Sequence, residues 1–313
     1  MKRSCFISAR VRGVSVLAVS MVLGLTTAQA NLTINPTFDS SITGDPNSAA
    51  IEACLNQVCA FYNATFTDSI TVNVTFHNAT SGLGSNNPAK ITIPYTTFRT
   101  ALAADATTAN DAIAVASLPN QTNNPVDGSS DVVLTKPNAR ALGLTADATV
   151  DDVINLNTSL CFLNHTSPVS GKYDLYAVAC HEMDECLGTP SGLSFNAGTP
   201  WSADMFRYDE FGNRTYTTAT NHHAYFSLNG TSNIVEYNQF NRSNGGDWGD
   251  WIVHNPAQVQ DWAGSTGRTI DMGPSETTLL DAVGYDFAPV PEPASLAVLG
   301  LGALALIRLR RKA

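Results

Sequence analysis

The stretch Cys180-His181-Glu182-Met183-Asp184-Glu185-Cys186-Leu187-Gly188 decides how the rest of the chain is read. Tyr173 to Leu187 has helical spacing, with Leu175, Ala179, Met183 and Cys186 on one apolar stripe. Gly188 and Pro190 stop the helix. Residues i and i+4 of a helix share a face, so His181 and Glu185 point the same way, an imidazole and a carboxylate one turn apart. Zinc accepts both kinds of donor. Glu182 projects to one side, where a carboxylate can act as general base toward a metal-activated water.

A catalytic zinc site needs a third protein ligand and one open position. Ser191, three residues past Gly188, is a poor zinc ligand and is set aside. Asp204 is the expected third ligand, with His222 and His223 as rivals that read more simply as isolated surface histidines. Tyr208, one turn after Asp204, is placed to donate a hydrogen bond to a developing oxyanion. With a carboxylate at position 185 the site is less positive than one with a second imidazole, which weakens water activation. The same donors also suit a harder ion such as Mn²⁺ or Ca²⁺. The plain alternative is a helix whose Glu182, Asp184 and Glu185 are simply solvated.

A second acidic feature is Asn244-Gly245-Gly246-Asp247-Trp248-Gly249-Asp250-Trp251. Two aspartates on a glycine-rich turn offer oxygen ligands to Ca²⁺, though the pattern of an EF-hand loop is missing. The simpler reading is a turn anchored in the core by Trp248 and Trp251.

Both ends of the chain carry signals. Lys2, Arg3, Arg10 and Arg12, an apolar run from about Val14 to Leu25 and Ala28-Gln29-Ala30 make residues 1–30 a cleavable signal peptide. At the other end Val290-Pro291-Glu292-Pro293-Ala294-Ser295 leads into an apolar run, Leu296 to Ile307, and the chain closes on Arg308-Leu309-Arg310-Arg311-Lys312-Ala313. That run is a short hydrophobic stop with its positive charge left on the cytoplasmic side, so residues 290–313 read as a sorting segment in transient contact with the inner membrane. Residues 31–289 remain, enough for one domain with a sizeable core.

The chain is acidic, with a formal net charge of -10, and its basic residues concentrate at the two ends. Nucleic-acid binding, which needs a basic face, is excluded on that ground. Past the leader lie Cys54, Cys59, Cys161, Cys180 and Cys186. Export permits disulfides, and Cys54 and Cys59 can pair if a helix ends between them. Cysteine-bound zinc is a poor reading because no CxxC spacing occurs. Cys186 reads as a small buried hydrophobe.

Periodicity places a helix over residues 47–61, a half-buried strand over Ser69 to His77 and a helix over Tyr95 to Ala104. A short strand follows at Ser130 to Thr135, then a helix opened by Pro137 and ending by Leu144, and an extended stretch between Val150 and Leu163. Residues 189–275 are irregular and rich in Gly, Asn and aromatics, with one strand at Tyr225-Phe226-Ser227-Leu228 and a turn at Asn229-Gly230. Ser275 to Val283 is a closing helix with Glu276 in its first turn.

Two resemblances follow from these residues. The Pro-Glu-Pro tripeptide, apolar run and terminal arginines resemble the PEP-CTERM sorting tail of Gram-negative bacteria, which implies processing by signal peptidase and exosortase and release to the cell surface or extracellular polymer matrix. The segments Asp131-Val132-Val133-Leu134-Thr135, Asn138 to Leu144, Tyr173-Asp174, His181-Glu182, Asp204 to Tyr208, Tyr225-Phe226-Ser227, Gly246 to Trp251 and Leu280 to Tyr285 together resemble secreted bacterial metalloproteases that carry such tails. That family reads HEIGHxLG where this chain has HEMDECLG, so Glu185 stands in for its second histidine. The resemblance implies an α+β zincin-like fold with a mixed sheet, an active-site helix and an irregular C-terminal lobe, with the cleft between sheet and lobe. It carries over His181 as ligand and Glu182 as base. The spacing of Asp204 resembles the third ligand of gluzincins, and Gly198-Thr199 before Asp204 resembles a segment of aspzincins.

The expected function is therefore exported zinc-dependent hydrolysis of peptide bonds in a protein or peptide substrate. The alternative is a catalytically impaired zincin-like protein that binds surface or matrix polymers. A glycosidase using Glu182 or Glu185 is disfavoured, because two carboxylates on one helical turn do not flank a sugar from opposite sides.

Overall fold

The computed structural model describes residues 31–195, 198–240 and 246–288. The expected signal peptide and sorting segment lie outside the described residues.

The N-terminal half is built on a mixed sheet. Strand β1 (Thr33–Phe38) leads through a short helix α1 (Ser40–Thr43) and the long helix α2 (Ser48–Thr65) into β2 (Thr71–Asn78). The short strand β3 (Gly84–Ser85), then β4 (Lys90–Pro94), helices α3 (Tyr95–Asp105) and α4 (Ala109–Ser117), β5 (Asp131–Thr135), α5 (Lys136–Ala141) and β6 (Asp152–Leu156) follow. The main sheet has the order β1-β2-β6-β3, with β1, β2 and β6 parallel and β3 antiparallel at the edge. β4 and β5 pair separately as an antiparallel ribbon. The alternation expected in β2 holds: Val72, Val74 and Phe76 are buried while their neighbours are not.

After β7 (Cys161–Phe162) and β8 (Tyr173–Asp174), which pair in parallel, comes α6 (Leu175–Leu187). Tyr173 and Asp174, expected within the helix, instead form the strand before it, and the Asp174 carboxylate caps the Tyr176 N–H at 3.1 Å. α6 is a central helix, buried on nearly all sides between α2, α7 and the sheet. It stops at Gly188, whose φ of 145° is open to glycine and strained for other residues. The rest of the chain supplies 3₁₀ turns, the small antiparallel sheet of β9 (Arg207–Asp209), β10 (Ala224–Phe226) and β11 (Val235–Glu236), and the closing helix α7 (Pro274–Ala282). No helix among the described residues is long and apolar enough to cross a membrane.

The expected pairing of Cys54 with Cys59 does not occur. α2 runs unbroken through both positions, so the two side chains leave the helix in different directions, and the five described cysteines are buried free thiols. Cys186 is fully buried, as its stripe position implies.

Around the C-terminal end of the domain, carboxylates from α3, α4, α7 and two loops crowd together. Burial, with help from neighbouring aspartates, pushes Asp68 and Asp105 up to about 7 and Asp281 up to about 6. Asp111 and Asp286 are the neighbours that add to this. An unfolded aspartate titrates near 3.9. The folded chain therefore holds protons that the unfolded chain releases, and its stability falls as pH rises from about 4 to about 7. Thermal denaturation should show a higher midpoint at pH 5 than at pH 8, each kcal/mol lost costing about 2–4 °C in a domain of this size. Asp68→Asn should flatten that dependence, and an unchanged slope in the variant would show that the cluster does not cause it.

Candidate metal centre

Three ligating side chains meet at the exposed edge of α6. His181, Glu185 and Asp250 each offer one ligand atom, and these atoms all lie within 4.8 Å of one another. His181 Nε2 is 3.5 Å from Asp250 Oδ1 and 3.9 Å from Glu185 Oε1. Two ligands about 2.1 Å from one ion at a tetrahedral angle stand roughly 3.4 Å apart, so the His181–Asp250 spacing suits two donors to one ion and the group as a whole stands slightly wider.

The surroundings orient each donor. The Val259 carbonyl, 3.0 Å from His181 Nδ1, can only accept, so Nδ1 carries a proton and Nε2 is the ring nitrogen turned to the cleft. Val259 is itself held by its N–H to Glu276 Oε1 at 2.9 Å, at the start of α7. Gln260 Nε2 donates to the His181 carbonyl and to Asp184 Oδ2, and the Tyr62 hydroxyl reaches Asp184 Oδ1 at 2.6 Å. Asp184 is thus a buried strut between α2, α6 and the Val259 loop.

Asp250 divides its two oxygens. Oδ2 accepts the Asp247 N–H at 2.7 Å and closes the turn, while Oδ1 is buried, forms no hydrogen bond and faces His181 Nε2 at 3.5 Å. A buried carboxylate oxygen costs free energy unless a cation answers it, the His181 imidazolium or a metal ion in its place. Of the two tryptophans expected to anchor this turn, Trp251 is fully buried and Trp248 only partly, and the Asp250 carboxylate faces the imidazole of His181.

Glu182 lies beside the group, 5% exposed, under the edge strand β3. A Cβ on Gly84 would sit 2.3 Å from Glu182 Oε1, so glycine there is what admits the carboxylate. Burial, then the Asp250 charge, lift Glu182 to about 8 against the pull of His181. Burial and Glu182 hold Glu185 well above the usual carboxylate range. Burial works against a charge on His181, but Asp250, Glu182 and Glu185 outweigh it and hold the imidazole well up. Three carboxylates around one imidazole, in a lining without lysine or arginine, make a demand for positive charge that a divalent cation meets. The donors present fit such an ion.

The group opens into a cleft of about 280 Å³. α6 is its floor, β3 with the flanking Leu83 and Asn86 one wall, and the loop carrying Asp247, Asp250, Val259 and Trp262 the other. A smaller cavity of about 230 Å³ adjoins it and shares Asn86, Glu185 and Asp247.

Asp204 is not brought to this group. It is 1% exposed, and it accepts Ser191 Oγ at 2.6 Å and the N–H groups of Gly192 and Trp201 at 2.8 Å each. Both oxygens are spent holding the 3₁₀ turn Ser202–Phe206, a structural duty that spacing alone did not reveal. Tyr208, on β9, is 2% exposed, packs under Arg214 and points its hydroxyl at Ser117, so it does not line the cleft. His222 lies near Glu210, and His223 bonds Glu236 and stacks on Phe240; neither joins His181. The member of the group that sequence reasoning did not place there is Asp250. Its turn stood out in the sequence, yet nothing local tied it to a helix 65 residues earlier.

Residues 289–312 match the PEP-CTERM protein-sorting motif. That motif indicates export, sorting via the membrane of Gram-negative bacteria and processing by exosortase. No curated protein and no solved structure matches the chain.

Proposed function

We propose that this chain is an exported, metal-dependent peptidase with a zincin-like catalytic domain, in which His181, Glu185 and Asp250 hold a divalent cation, zinc in the first instance. The observation that carries the reading is the convergence of His181, Glu185 and the buried Oδ1 of Asp250, 3.5 Å from His181 Nε2, beside Glu182 on the same helix. When bound, the ion would polarise the scissile carbonyl and lower the pKa of the attacking water.

The chain's own residues do the rest. Val259 fixes the tautomer of His181. Glu182 takes a proton from the attacking water as its oxygen adds to the carbonyl carbon, then passes that proton to the leaving amine as the C–N bond breaks. With a cation held by the group, Glu182 would bind its proton less tightly and so act as a base near neutrality. The free edge of β3 above the helix offers its backbone to an extended peptide, so a substrate can lie across the cleft as an added strand.

A second reading has its own support. With Glu185 in the place of an imidazole, two of three ligands are carboxylates, which stabilise the ion but reduce its power to activate water. The same fold would then serve as a metal-stabilised surface or matrix protein without turnover. Metal analysis of the purified chain, with peptide hydrolysis before and after chelation, separates the two. Near-stoichiometric metal with chelator-sensitive cleavage supports the peptidase. Bound metal without cleavage supports the binding protein, and no metal at all sinks both.

A further inference from the structure

Resting on the peptidase reading, we infer that the cleft selects substrates with a large apolar side chain, leucine or phenylalanine, beside the scissile bond, and that Gly264 keeps open the arm that receives it. The cleft divides along α6. Toward the C-terminal end of the helix lie Glu185 and the Asp250 turn, which with His181 form the cation group. Toward its N-terminal end the lining changes to Leu83, Tyr173, Ala177, Val178 and Ile270. Ala177 and Val178 stand four and three residues before His181, so they occupy the neighbouring turn on the same side of the helix. The arm therefore opens directly from the reaction centre. Gly84 marks the join: a Cβ there would meet Val178 Cγ1 at 2.9 Å and Glu182 Oε1 at 2.3 Å, so one residue of β3 covers both the base and the start of the arm.

The carboxylates that line this part of the cleft are spent within the fold. Asp174 Oδ1 caps the Tyr176 N–H at 3.1 Å, and its Oδ2 meets His165 Nδ1 at 2.7 Å and accepts the Ile270 N–H at 3.1 Å. Asp261, in the facing loop, holds His254 Nδ1 at 2.5 Å and the N–H groups of His254 and Gln258. A charged side chain entering the arm loses its water and meets apolar walls, whereas an apolar one is driven in by leaving water. Gly264 faces this arm across from β8. A Cβ at Gly264 would lie 3.1 Å from Tyr173 Cδ1 and 3.6 Å from Leu83 Cδ2, so any side chain there fills the gap between the loop and these two walls. Its φ lies outside the left-handed region and it is exposed, so space, rather than backbone strain, is what a substitution changes. Leu83 directly precedes β3, and a peptide paired along that edge delivers a side chain to the same gap.

The test uses peptides identical except for leucine, alanine or glutamate at a position flanking the cleaved bond, on each side in turn, with the wild-type chain, Gly264→Val and Val178→Ala. On one side of the bond the leucine peptide should be cleaved with kcat/KM on the order of 10²-fold above alanine, with glutamate lowest. That preference should persist as salt is raised, because no ion pair carries it. Gly264→Val should cut the leucine-to-alanine ratio by about 10-fold, with a thermal melt confirming that the variant is folded. Val178→Ala widens the arm and should raise cleavage of a phenylalanine peptide relative to leucine. Equal cleavage of the leucine and alanine peptides on both sides of the bond, or ratios that neither variant moves, would overturn the inference and leave the peptidase standing. If nothing is cleaved, the peptidase reading fails on its own, and calorimetric titration of the chain with the leucine and glutamate peptides decides the arm. Tighter binding of leucine, lost in Gly264→Val, supports it, and equal binding removes it.

Discussion

Glu182→Gln should lower peptide hydrolysis by about 10²–10⁴-fold, the usual worth of a positioned general base. Metal content should not change, because Glu182 is not among the three grouped ligands. Glutamine matches glutamate in shape, so the close approach to Gly84 is kept and the Asn86 bond to the residue 182 carbonyl is untouched. Stability should not fall. Glu182 is lifted to about 8 by its burial, which means the fold holds the ionised carboxylate at a cost that a neutral amide does not carry. Loss of activity at constant metal and undiminished melting temperature is therefore the signature of a base. Retained activity in the variant would show that water is deprotonated elsewhere and would leave Glu182 as a charge in the lining. A parallel loss of metal would mean that Glu182, rather than Glu185, is the second ligand.

The parts of this molecule that a sequence reveals are those fixed by neighbours along the chain. β2 could be read because Ile70, Val72, Val74 and Phe76 alternate, α2 because its apolar residues recur at helical spacing, and α5 because Pro137 opens it and Gly143 closes it. β1 was passed over: Thr33–Phe38 holds a proline, which only an edge strand tolerates well, and its identity as a strand comes from lying parallel to β2. α4 was missed because its alanines give little contrast, although Thr108 and Asp111 form a capping box at its start. The site divides the same way. His181, Glu182 and Glu185 share one helix, so their geometry follows from its period. Asp250 and Val259 reach them through a long irregular loop, which no periodicity describes. Asp204 misled because its spacing suited a ligand, whereas its burial beneath Ser191, Gly192 and Trp201 became visible only in three dimensions.

Asp250→Asn and Asp204→Asn should fail in opposite ways, and the contrast distinguishes a ligand from a strut. In Asp250→Asn the side chain keeps a carbonyl oxygen for the Asp247 N–H, and the turn stays tied by the Asn238 N–H to the residue 250 carbonyl at 2.8 Å. What is lost is the negative charge beside His181. Metal affinity should fall by more than the roughly 10–100-fold that removal of an outer partner costs, with hydrolysis falling alongside. Without metal the folded chain should be no less stable than the wild-type apo form, because one of three mutually repelling carboxylates has gone. In Asp204→Asn the amide puts a donor against Ser191 Oγ or a backbone N–H in a buried site. Breaking up a buried, charge-assisted network of this kind costs about 3–5 kcal/mol. Its metal affinity, measured below the unfolding transition, should match wild type. Calorimetric titration with zinc beside thermal melts of both variants reads the two effects separately. Were Asp204→Asn to release the metal from a folded chain, the ligand set would have to be redrawn around residue 204. Were Asp250→Asn to bind zinc as tightly as wild type, the orphaned oxygen would be a feature of the turn alone.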